Sequence, residues 1–171
     1  MAAAEPRLTV VVHVQNMAKI RESFLAGAQR QATRIFGAAG VDLVWAAGSR
    51  TGHERRITLT IVAGRRAEEA LFPRRVIGLA MRGADLVYVH AGRVEALALA
   101  RGVIPATLLG NAIAHELGHI LLPVAGHSDS GLMIETLNVA TPHGVAFAPG
   151  DAAAIRATLA SRPEAVVTRL R

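Results

Sequence analysis

The sequence contains no cysteine, which rules out a disulfide framework, a thiolate-held metal and a cysteine nucleophile. The compartment stays open, secreted or cytoplasmic, because cysteine-free chains occur on both sides of a membrane. Lysine is almost as scarce: Lys19 is the only one, so the formal net charge of +6 rests on arginine. The arginines are scattered, with pairs at Arg55-Arg56, Arg65-Arg66 and Arg74-Arg75. Aromatic residues make up 4% of the chain, too few to alternate with basic side chains as a nucleic-acid platform requires. The charge therefore reads as a solvated basic surface, and no nucleic-acid partner is expected. A long charge-free apolar run is missing as well. The most apolar stretch, 103–122, carries His115, Glu116 and His119, so no membrane span is expected. The opening MAAAEPRLTV has neither a basic n-region nor an apolar h-region, and no signal peptide is expected in the chain as it stands.

What is present is a chain of 171 residues, 51% of them hydrophobic. That suffices for one domain over residues 1–171, with a core that needs no staple. A monomer is expected. A metal in such a chain would serve chemistry rather than hold the fold together. Residues 8–14, LTVVVHV, read as a buried strand. A helix follows over about Met17–Phe36, with Asn16 as its N-cap and Gly37 and Gly40 as its stop. Strands are expected at 41–45 and 57–62, with a polar turn at 48–56 between them. A helical turn is expected at 66–71, and two further strands at 76–81 and 85–90. Segment 91–101 has helical composition but a glycine near each end. A long apolar helix spans Pro105–Leu122, with Pro105 in the first turn, where its missing N–H costs nothing. After a loop, Pro149 opens a last helix. The order implies an α+β fold: a mixed twisted sheet of about four or five strands, a backing helix, a long central helix and a C-terminal helix.

The chemistry concentrates in residues 111–133, NAIAHELGHILLPVAGHSDSGLM. His115 and His119 stand four apart on the long helix, so both rings lie on one face, one turn apart. Imidazoles so placed can converge on one zinc ion. Glu116 is rotated by about 100° from His115. It is poorly placed as a third ligand on that ion but can reach a water bound to it, where a general base is needed. Zinc would acidify that water and polarise a carbonyl, with Glu116 taking and returning the proton. A catalytic zinc usually has three protein ligands. Pro123 ends the helix and Gly126 permits a turn, so His127 can come back to the metal. Asp129 is the nearest substitute, with Glu135 and His143 behind it. His13 and His90 fall on strands and read as structural.

With these residues in place, the segment resembles the zinc-binding region of the metzincin clan of metalloendopeptidases, HExxHxxGxxH followed by a methionine in a tight turn. HELGH, residues 115–119, matches the first part. Ser128 after His127 resembles the matrixin-like members, and GLM, residues 131–133, resembles the Met-turn. The resemblance implies a zincin-like fold, Zn2+ as cofactor, and His115, His119 and His127 as its ligands. It also implies Glu116 as general base and Met133 as an apolar floor under the metal. The chain departs from the pattern in having seven residues, ILLPVAG, between the second and third histidines where the family has five. Leu122 stands where the family has glycine, and no tyrosine follows Met133.

By the same resemblance, an edge strand at 76–81 would pair with an extended peptide. Gly78, Leu79 and Ala80 would line it, and segment 134–146, with His143, would form the specificity pocket. The expected activity is a zinc-dependent metalloendopeptidase acting on peptides or proteins. The alternative is a zinc-binding protein of the same fold with a non-peptidase hydrolytic or purely binding role.

Overall fold

The computed structural model describes residues 8–46, 55–64, 76–136 and 145–161. Of the expected turn at 48–56, residues 48–54 lie outside the described residues, as do the helical turn at 66–71 and His143, whereas Arg55 and Arg56 belong to a strand rather than to the turn, paired alongside Val10 and Val11. Within them the chain runs β1 (Leu8–Asn16), α1 (Glu22–Ala38), β2 (Val41–Ala46), β3 (Arg55–Val62), β4 (Gly78–Met81) and β5 (Leu86–His90). Then come α2 (Ala91–Arg101), α3 (Pro105–Leu121) and α4 (Pro149–Ala160). Short 3-10 turns occupy Arg82–Ala84 and Gly131–Met133. This is the expected α+β architecture, zincin-like, with a mixed five-stranded sheet.

Sheet order is β2-β1-β3-β5-β4. The first four strands are parallel and β4 alone runs antiparallel, against β5, with Gly78 opposite Val89 and Met81 opposite Leu86. Alternation along the strands sets the sheet's inner face. Val10, Val12, Ile57, Leu59, Ile61, Val87 and Val89 are fully buried. Between them Thr58 and Thr60 point to the other face, where Thr60 Oγ1 donates to Gln15 Oε1 at 3.2 Å; successive residues of a strand face opposite ways. On the inner face α1 contributes Ala28, Ala32, Ile35 and Phe36, and packs on α3.

Helix α3 is the centre of the molecule. Leu108 to Gly118 are buried without a break, which is why the segment is apolar all round rather than amphipathic. It ends where the sequence requires. Leu122 is extended (φ −72°, ψ 141°), as a residue before proline must be.

Two boundaries differ from the sequence reading. Asn16 does not cap α1. It ends β1 and closes a loop on itself, its side chain accepting from Ile20 N–H at 3.0 Å and donating to Ile20 O at 2.9 Å. The helix starts at Glu22, five residues after the expected Met17; an asparagine side chain competes well for backbone groups in a turn. Gly37 lies within the last turn of α1 rather than ending it. The ambiguous segment 91–101 is a helix. His90 caps it by accepting from Arg93 N–H at 3.2 Å, and Gly102 (φ 63°) closes it.

Candidate metal centre

His115 and His119 project from one face of α3, as four-residue spacing requires. His115 is buried, and its Nδ1 lies 2.8 Å from the Leu132 carbonyl oxygen. A carbonyl only accepts, so Nδ1 carries the proton and Nε2 is left with its lone pair towards the site. A ligating histidine is usually oriented by such a bond. His119 Nε2 sits 3.0 Å from His115 Nε2. Two ring nitrogens brought this close, one with no proton to offer, form a place for a cation or a shared proton. Ligands of a tetrahedral zinc at 2.0–2.1 Å would be about 3.4 Å apart, so the spacing is close to what one ion needs.

His127 completes the cluster from the loop after α3. The chain turns at Gly126 (φ 129°), a conformation that favours glycine. The His127 ring then lies with its centroid 5.4 Å from that of His115 and 4.9 Å from that of His119. One ligand atom from each of the three histidines can be chosen so that all lie within 4.8 Å of one another. The two extra residues of the linking segment are thus absorbed by the loop. Asp129 and Glu135 are exposed and do not join this group.

Burial disfavours a proton on the two helix histidines. Burial lowers the pKa of His115, and the neighbouring His127 adds to this against the Leu132 hydrogen bond. Burial, then His115, His127 and Arg82, lower His119 to about 4. Neutral imidazoles are the form that binds a metal. Glu116 is also buried, and burial pushes its carboxyl up to about 7. Its side chain packs directly on the backbone of Gly78 at the start of β4, leaving no room for a Cβ there.

Met133 is fully buried in the 3-10 turn, against Gly118 of α3. A Cβ on Gly118 would stand 2.5 Å from Met133 Sδ and 2.9 Å from Phe147 Cε1. Gly118 therefore admits the turn against the helix. Phe147 in turn stacks edge-on against Phe36, centroids 5.0 Å apart.

β4 lies at the edge of the sheet, alongside α3 and running in the same direction. Its start touches Glu116 and its far end is tied by Arg82, which donates to the Leu122 carbonyl oxygen at the helix terminus. The entry to β4 is fastened too: Arg93 Nη1 donates to Val76 O at 2.7 Å and His90 N–H to Ile77 O at 2.9 Å. Gly78 is buried, and Leu79 and Ala80 are half-buried. Sequence reasoning missed Arg82, Asp151 and Phe147. Arg82 was one scattered arginine among many. Asp151, near the start of a helix, carried only the general signal of an acidic first turn.

Fold and geometry define a zincin-like α+β domain with a three-histidine cluster able to hold a metal ion. Among solved structures, the chain is similar in fold to a zinc-dependent peptidase from Methanocorpusculum labreanum, with a TM-score of 0.52 and 10% identity, over 86% of this chain and 99% of that one. No protein-family model and no curated protein matches the chain.

Proposed function

We propose that the protein is a zinc-dependent metalloendopeptidase of metzincin type. One observation carries the reading: three imidazoles come together, a ligand atom of each within 4.8 Å of the others, and the buried carboxyl of Glu116 follows directly after the first of them on the helix. A purely structural metal site has no use for Glu116. The similarity in fold to a zinc-dependent peptidase agrees with it.

In this reading His115, His119 and His127 hold the ion. Bound zinc would supply an acidified water and polarise the scissile carbonyl. Glu116 takes a proton from the attacking water and returns it to the leaving amine. Burial raises its pKa in the metal-free chain, which helps a carboxylate take up a proton. Met133 closes the site from below and keeps it dry. The outer edge of β4, Gly78 to Met81, is unpaired among the described residues. It offers backbone groups to an extended peptide, which would lie across Leu79 and Ala80.

The test is cleavage of a peptide library by the zinc-loaded protein, read by mass spectrometry, beside Glu116→Gln. Cleavage is expected, with Glu116→Gln slower by about 10²–10⁴-fold at unchanged zinc content. A loaded protein that cleaves nothing, or a Glu116→Gln variant as active as the parent, would overturn the reading.

A further inference from the structure

Of the three clustered histidines, His127 has the least to hold it. His115 is fixed by the Leu132 carbonyl and His119 by its helix. His127 is exposed, lies outside any helix or strand, and its ring makes no hydrogen bond to a described residue. Yet the side chain must stand still to ligate, and its neighbour shows how it can.

Ser128 is held twice. Its backbone N–H donates to the Met133 carbonyl oxygen at 2.9 Å, and its hydroxyl donates to Asp151 Oδ1 at 2.8 Å. Asp151 is the third residue of α4, after Pro149 and Gly150. The helix beneath it is itself anchored, with Ile155 fully buried and Arg156 donating to Ala39 O at 2.8 Å. The other oxygen, Asp151 Oδ2, is buried with no hydrogen-bond partner among the described residues. A buried oxygen left unsatisfied is costly, so the carboxylate is an expensive way to fill this place. The hydroxyl it grips is its return.

We propose that Asp151 and Ser128 form a positioning pair that fixes the His127 backbone so that its ring stays on the metal. The third ligand is thereby braced from α4, 23 residues on in sequence. This rests on the zinc reading above. A partner that orients a ligand typically contributes about 10–100-fold in metal affinity.

The experiment is zinc affinity, by titration against a chromophoric chelator, in a double-mutant cycle. Asp151→Ala and Ser128→Ala are each expected to weaken zinc by about 10–100-fold. Asp151→Asn keeps an acceptor for the hydroxyl and is expected to restore most of the loss. In a His127→Ala background, Asp151→Ala and Ser128→Ala should change affinity by no more than about twofold. A merely structural role would lower the melting temperature and weaken zinc equally with or without His127; that result, or no loss in either single variant, overturns the proposal. Ser128→Ala removes only a hydroxyl and carries the test alone if Asp151→Ala does not fold. The His127→Ala arm separates the two readings. If it binds zinc like the parent, the three-histidine site itself is wrong and the pair has nothing to position.

Discussion

The two groups with the largest displaced pKa values pull the metal-free protein in opposite directions as pH changes. His119 titrates near 4 in the folded chain against its usual 6.5. As pH falls from 6.5 to 4 the unfolded chain takes up a proton that the native one refuses, so stability is lost over that range. Glu116 titrates near 7 against 4.5. As pH rises from 4.5 to 7 the unfolded chain ionises first, so its contribution is full below 4.5 and is lost by 7. In the wild type the two largely offset between 4.5 and 6.5. Thermal melts of metal-free Glu116→Gln should therefore fall more steeply on acidification than those of wild type, and melts of His119→Gln less steeply. Parallel curves for all three would show that neither group is displaced as described.

These residues were legible in the sequence because spacing alone fixes them. Four positions along a helix put His115 and His119 on one face whatever surrounds them. His127 was legible as a residue type after a turn, but its approach depends on Gly126 and on bonds made by Ser128 to partners 5 and 23 residues further on. Asp151 was silent, since its importance lies wholly in what it meets in space. Asn16 misled for a related reason: the same side chain can cap a helix or close a turn, and only the neighbouring backbone decides.

At the scale of elements, the strand next to the site is held at its ends and, among the described residues, unpaired along its outer edge. Arg82 joins β4 to the end of α3, where a positive charge also suits the helix terminus. Arg82→Gln should cost about 1.5–3 kcal/mol, the range for hydrogen bonds to charged groups, measured by urea unfolding. Hydrogen exchange of the β4 amides should accelerate more than that of β5. An equal change in both strands would mean that Arg82 supports the sheet generally rather than tying β4 to the helix. The strands and helices themselves were largely legible. Alternation in β3 and the unbroken apolar run of α3 are direct consequences of one-sided and all-round burial. Strand order was not, because nothing local in β4 tells it to reverse and take the edge.

Across the whole molecule, the core is complete without a metal. Thirty-odd buried apolar side chains, from Val10 to Ile155, form one cluster, so the metal-free chain is expected to fold. In the proposed reading zinc then adds stability by mass action: at about 1,000 times its dissociation constant it contributes roughly 4 kcal/mol. For a chain of this size that raises the melting temperature by about 8–16 °C. Calorimetric scans with and without zinc measure it, and His115→Ala should abolish the increment. A metal-free chain that showed no cooperative transition would mean that the ion is a structural staple after all.

The open edge of β4 has another side. Backbone groups that are unpaired among the described residues, and that receive a peptide in the proposed reading, would equally accept a strand of a second copy, and edges of this kind seed aggregation. The strand is four residues long, and Arg82 stands immediately beyond it. Shortness and a charge at the end are the usual ways to discourage such pairing. In the proposed reading the same four residues balance two demands, hospitality to a passing chain and indifference to their own kind. Concentrated protein is where that balance would first fail.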